Sequence, residues 1–180
     1  MELAQVTSGF LALLVLMGFA AWTYAVAEFI GLWRLSSWAF GRGLIVVRES
    51  VHTGFGPAQI GHHFSGARAK ASRTSGGMIV FRGFFNPLFQ TPFPIKGRIE
   101  VSEIGVNVVG RIPVGTSLFI AIWLAGWTAI GAVVPAAEIM NPLTFIAIGW
   151  GAVALMLGVS LPWELRKFRL AKEELLGVNG

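Results

Sequence analysis

The chain has 180 residues, 54% of them hydrophobic and only 13% charged, a balance too apolar for an ordinary soluble domain and one that points to a membrane. It contains no cysteine and no aspartate, which excludes disulfides, iron–sulfur clusters, thiolate zinc sites and any Ser-His-Asp set. The formal charge of +5 suits either nucleic acid or a basic face against anionic lipid, and the positions of the charges decide between them.

Gly9 to Trp33 is apolar apart from Thr23, Tyr24 and Glu28, and about 25 helical residues exceed the ~20 needed to cross hydrocarbon. The residues before it carry no base, so a retained anchor is expected in place of a cleaved leader. From Arg34 the character changes. Arg34 and Arg42 flank Trp38 in a juxtamembrane linker, Leu44–Arg48 reads as a short strand, and Ser50–Gly77 is a glycine-, serine- and histidine-rich loop with a weak strand near Ala67–Arg73.

Met78–Phe81 reads as a strand, and residues 84–94, with three prolines and four phenylalanines, form a stiff aromatic turn. Ile95, Gly97, Ile99 and Val101 alternate with Lys96, Arg98 and Glu100, and Val106, Val108, Gly110 and Ile112 alternate with Asn107, Val109 and Arg111. That period of two predicts a hairpin with its turn at Ser102–Gly105.

Gly115–Val134 and Leu143–Trp163 are two further spans, joined tightly enough to be antiparallel, with Asn141–Pro142 as cap and first turn of the second. Residues 164–180 continue as an amphipathic helix near the membrane surface, with Leu165, Phe168 and Leu175 on one side and its end at Gly177.

The predicted fold is therefore an α-helical integral membrane protein with three transmembrane helices plus a small cytoplasmic β-rich domain inserted between helices 1 and 2. Its parts are the helix 1–33, the basic β-rich segment 34–112, the helical hairpin 113–163 and the tail 164–180. All fourteen Lys and Arg residues fall in 34–112 or the tail. The positive-inside rule then puts the N-terminus outside and the β segment and C-terminus in the cytoplasm, with the bacterial inner membrane as the expected location.

Candidate functional residues follow from this layout. Glu28 is the lone acid within a span, on one stripe with Gly18, Ala21 and Ala25; an intramembrane carboxylate is either a proton or ion site or, as favoured here so close to the interface, a structural group pairing with Arg34 or headgroup water. Ala121, Ala125, Thr128 and Ala132, and Ala147, Gly151, Ala154 and Gly158, form small-residue stripes expected to pack the second and third helices together. Trp22, Trp123, Trp127 and Trp150 sit mid-span, where a pocket for a lipid, quinone or carotenoid is the alternative to plain packing; no cofactor is otherwise expected.

His52, His62 and His63, with Glu49, are weak metal candidates, since adjacent histidines diverge on most backbones. Glu100 and Glu103 form a carboxylate pair at a hairpin, where solvated charges are ordinary. Gly54 and Gly56 do not complete a phosphate loop.

The remaining bases, Arg68, Lys70, Arg73, Arg82, Lys96, Arg98 and Arg111, belong to a segment tethered to the bilayer at both ends, so anionic phospholipid is the expected contact, ahead of nucleic acid. Arg34, Arg42, Arg68, Lys70, Arg73, Lys96, Arg98 and Arg111 are the contacts expected for anionic lipid or a partner subunit, a second copy included. The leading functional expectation is a non-enzymatic accessory or scaffold protein. The alternatives are a membrane enzyme or metal protein using the loop histidines, and a small proton-coupled carrier using Glu28.

Overall fold

The computed structural model describes residues 2–51, 63–84, 91, 93–102, 105–133 and 141–177. Its elements run, in chain order, α1 (Glu2–Trp33), α2 (Ser37–Gly41), β1 (Leu44–Val51), β2 (His63–Ser65), β3 (Ala69–Arg73), β4 (Ile79–Gly83), β5 (Lys96–Ser102), β6 (Gly105–Ile112), α3 (Val114–Val133) and α4 (Pro142–Leu176).

Three of the helices, α1, α3 and α4, are long and apolar enough to cross a membrane. At 1.5 Å per residue α3 is about 30 Å long, the thickness of a hydrocarbon core, while α1 and α4 extend to about 48 and 52 Å and must project beyond one. Their outward faces carry exposed Leu16, Phe19, Trp22, Leu143, Leu155 and Val159. Helices this apolar, uncovered by the rest of the chain, suit hydrocarbon and not water. Asn141 caps α4 by accepting from the Leu143 amide at 2.9 Å, with Pro142 in the first turn, and α4 ends at Gly177 with a left-handed φ of 64°.

The six strands form one antiparallel sheet in the order β1-β6-β5-β4-β3-β2. From β2 to β6 the chain is a meander, and β1 pairs with β6. A bulge at Val46 lets Ile45 face Arg111 while Val47 faces Gly110. Just before β1, Gly43 has a φ of 132°, and a Cβ there would collide with the Ile112 carbonyl, so close approach of β1 to β6 requires glycine.

One sheet face carries Ile79, Phe81, Ile99, Val106 and Val108, and the C-terminal turns of α4 cover it with Phe168, Ala171, Leu175 and Leu176. In the middle row Phe81 lies opposite Gly97 and Gly97 opposite Gly110; the missing side chains leave the space that the Phe81 and Phe168 rings fill, 5.2 Å apart. On the other face Val80 packs with Leu32 of α1 and Ala39 and Phe40 of α2.

Two points differ from the sequence reading. The amphipathic continuation of α4 past residue 163, unbroken through Pro162, lays its Phe168 and Leu175 face on the sheet. Carboxylates fasten it there, Glu174 accepting from the Ala67 and Arg68 amides at 2.8 Å each, and Glu49 pairing with Lys172. Second, β2 and α2 stand where loop and linker are expected, because three and five residues are too short to show a period. At the predicted hairpin turn Ser102 pairs with Gly105, whose φ of 154° is one that glycine reaches easily.

Candidate functional site

Strand register creates the most distinctive chemical feature of the molecule. Lys70 lies opposite Arg82, Arg82 opposite Lys96, and Lys96 opposite Arg111. Directly paired residues share a face, so four basic residues stand in one row across β3, β4, β5 and β6. The row marks the end of the sheet next to the helices: β6 passes into α3 two residues beyond Ile112, and β1 begins just after α2, whereas the turns at Thr74–Met78 and Ser102–Gly105 lie at the far end. Around the row the sheet end presents exposed Trp33, Trp38, Leu44, Ile45 and Phe84.

Like charges directly opposite one another destabilise a sheet, so this row needs counter-charge or another partner for each member. Lys96 finds it in Glu28. Both side chains are 1% exposed, and Lys96 Nζ donates to Glu28 Oε1 at 2.5 Å and to the Ala39 carbonyl of α2. The Glu28 carboxylate also accepts from the Val114 amide at 3.3 Å and the Gly115 amide at 2.6 Å, so it caps α3. One carboxylate thus ties together α1, α2, β5 and α3. Burial pushes the Lys96 ammonium below the usual lysine value, with Arg111 adding to that, while the hydrogen bond and charge of Glu28 oppose it.

Arg82, largely buried, places its guanidinium 5.9 Å from the centre of the Trp33 ring and donates from Nη2 to the Trp33 carbonyl at 3.5 Å. Burial lowers its pKa from the usual arginine value. Arg111 donates to the Gly43 carbonyl at 3.3 Å, and Lys70 is exposed. A second buried carboxylate, Glu164 on α4, accepts from the Thr91 hydroxyl at 2.6 Å and the Ile95 amide at 3.4 Å and pairs with Lys167 at 2.7 Å.

Four openings adjoin one another along this side. A groove of about 410 Å³ between α1 and α3 includes Gly18, Phe119, Trp123, Gly126 and Trp127 in its wall. A second, about 260 Å³, shares Phe119 with it and adds Trp22, Phe29 and Pro94. A small enclosed space of about 20 Å³ shares Pro94 and adds Arg82 and Phe84; a cavity of about 70 Å³ shares those two and is completed by Trp33, Gly66, Ala69 and Lys70.

The other expected residues are distributed differently. Lys96 is not an external contact, as expected from sequence, but a buried ion-pair member. Glu28 pairs with it and not with the neighbouring Arg34, because strand β5 reaches the end of α1 from 68 residues away. Arg34, Arg42 and Arg68 are exposed; Arg98 pairs with Glu100 at 2.7 Å, and Arg73 lies toward the far end of β3. Arg82 stands in the row between Lys70 and Lys96.

The small-residue stripes are also corrected. Ala121, Ala125, Ala132, Ala147, Gly151, Ala154 and Gly158 are exposed, and a Cβ at Gly151 or Gly158 would meet nothing. Helix contact runs instead through Gly131 against Phe145 and Ile146, Gly149 against Trp127, and Gly115 against the Ala25 backbone. Thr128 accepts from Trp150 Nε1 at 3.1 Å. On α1, Ala21 is buried and Gly18 approaches Ile122. Trp127 stacks on Phe145 with centroids 4.4 Å apart and donates to its carbonyl.

His63 is exposed on β2; His52, His62 and Glu103 lie outside the described residues. Glu49 is engaged with Lys172, and among the described residues no three histidine, cysteine or acidic side chains come together.

These features define a small antiparallel sheet, basic at its helix end, carried by three apolar helices. No family model matches the chain, and no curated protein or solved structure is similar to it.

Proposed function

We propose that this chain is a non-enzymatic accessory protein of a bacterial inner membrane, crossing it three times and holding its sheet against the anionic cytoplasmic leaflet. The observation that carries this reading is the basic helix end of the sheet, where exposed Lys70 stands in register with Arg82 and Arg111 while Lys96 between them is held internally by Glu28. Helices of spanning length leave this end at headgroup level, and each basic residue near an anionic surface contributes about 1 kcal/mol. The aromatic and apolar rim around it is the composition favoured at a membrane interface. Orientation follows from charge: all fourteen Lys and Arg lie on the side of the sheet and tail, which the positive-inside rule assigns to the cytoplasm.

Glu28 serves in this account as a structural latch and not as a carrier site, since its oxygens receive Lys96 and two amides of α3. The test is amide exchange of the full chain in bilayers of phosphatidylglycerol and phosphatidylcholine mixtures against phosphatidylcholine alone. Exchange at Leu44–Val46, Lys70 and Arg111 slows about tenfold in the anionic bilayer. The difference shrinks as salt rises from about 0.1 M to about 1 M and the screening length falls from ~10 to ~3 Å. Equal exchange in the two bilayers would overturn the reading.

A further inference from the structure

We infer that the grooves between α1 and α3 bind an uncharged isoprenoid quinone, its ring beside Phe119 and its tail running past Gly126. The inference goes beyond the headgroup contact above and rests on the membrane reading only in that these helices lie in hydrocarbon. The groove of about 410 Å³ and the second of about 260 Å³ meet at Phe119. The first alone falls within the ~300–1,000 Å³ of ordinary small-molecule sites. Gly115 packs on Ala25 and Gly18 approaches Ile122, so α1 and α3 run side by side in antiparallel register. That register sets Trp22 of α1 and Trp123 of α3 about five residues, or about 7 Å, apart in depth, with Phe119 at a level between them.

Charge, depth and hydrogen bonding select the occupant. Among the described residues neither wall holds a charged side chain, which complements a neutral ligand and not a phosphate. Trp123 stands near the middle of the 20-residue α3, and Trp22 lies about 16 Å along α1 from Trp33. Both indoles are therefore near mid-bilayer, away from the interfacial belts where tryptophan is favoured. Trp127 donates its Nε1–H to the Phe145 carbonyl, and Trp150 donates to Thr128. Trp22 and Trp123 have no acceptor among the described residues, and a donor left unmet in hydrocarbon is costly. Phospholipid ester carbonyls stay at the headgroup boundary and do not reach them. A quinone brings acceptors to this depth, with two carbonyls on opposite edges of one flat ring to meet two donors separated along the helices. Phe29, Phe119 and Trp127 add aromatic wall against which such a ring stacks. A Cβ at Gly126 would meet nothing within 4 Å, so the groove beyond the ring has room for the tail.

The experiment uses the full chain in a mild neutral detergent, with native mass spectrometry after adding decylubiquinone, decylbenzene or phosphatidylcholine. One decylubiquinone per chain is retained, and the other two at least about tenfold less, since neither brings an acceptor to mid-bilayer depth. That comparison needs no substitution. Two variants then probe the site, with circular dichroism to check the fold. Gly126→Leu fills the groove, and Trp22→Phe combined with Trp123→Phe keeps both rings while removing both donors; each cuts retention about tenfold. Gly151→Leu, on α4 outside both grooves and equally open around its Cβ, leaves retention unchanged.

Equal retention of decylbenzene or of the phospholipid overturns the proposal, as does wild-type retention by either groove variant or an equal loss with Gly151→Leu. Retention is read in neutral detergent and amide exchange in bilayers, so the two readings fail separately. If retention is unselective while exchange still follows anionic lipid, the quinone site falls and the surface contact stands. If retention is selective while exchange does not respond, the surface contact falls and the quinone site stands.

Discussion

At the scale of single residues, the Glu28–Lys96 pair is the most consequential contact. Removing either member leaves a charge buried without its partner, a loss of about 3–5 kcal/mol. Glu28→Ala and Lys96→Met should therefore each destabilise the protein by that amount in equilibrium unfolding. The double substitution should cost far less than the sum, retaining mainly the lost cap on α3, about 1 kcal/mol. Additive losses would mean that the two side chains do not act as a pair. A second prediction concerns Gly97. A Cβ there runs into the Phe81 ring, so Gly97→Ala should destabilise by about 1–3 kcal/mol, whereas Gly151→Ala, facing open space, should change little. The sequence marks Glu28 as unusual but not its partner, because no local pattern reports that β5 folds back onto α1. Sequence spacing suggests the small-residue stripes, yet the contacts go where a bulky side chain faces a glycine, and only the three-dimensional pairing of Trp127 with Gly149 reveals that.

At the scale of elements, α4 has two roles. Its first half is an apolar span, and its second half completes the core of the sheet. Phe168 is fully buried against Phe81, so Phe168→Ala should cost about 3–5 kcal/mol and lower the unfolding midpoint of the sheet. A chain stopped after Trp163 should lose amide protection throughout β4, β5 and β6 while its helices persist. Retained protection in those strands would show that the sheet folds without α4. The β5–β6 hairpin is legible from strict alternation, and the three apolar helices from length and composition alone. The amphipathic continuation of α4 is legible too, but not the surface it covers, since no local pattern reports that the face of Phe168, Ala171 and Leu175 meets the sheet. Arg82 illustrates the same limit: it belongs to the basic row only because register sets it opposite Lys70 and Lys96.

At the scale of the whole molecule, the absence of cysteine makes single-cysteine labelling clean. On the orientation proposed above, Asn141→Cys should react with an impermeant maleimide added outside intact cells, and Ser75→Cys should react only after the membrane is opened. The reverse pattern would invert the orientation. On the proposed reading, the basic end of the sheet sits in the headgroup layer and the opposite end stands clear of it. Along β3 and its turn, Lys70 and Ser75 are separated by up to about 17 Å. The most direct measurement is the depth of a fluorophore on Lys70→Cys and on Ser75→Cys, in the full chain reconstituted into phosphatidylglycerol-containing bilayers, read by headgroup-level quenchers. Strong quenching at position 70 and weak quenching at position 75 is the predicted result; equal quenching at the two positions would contradict it.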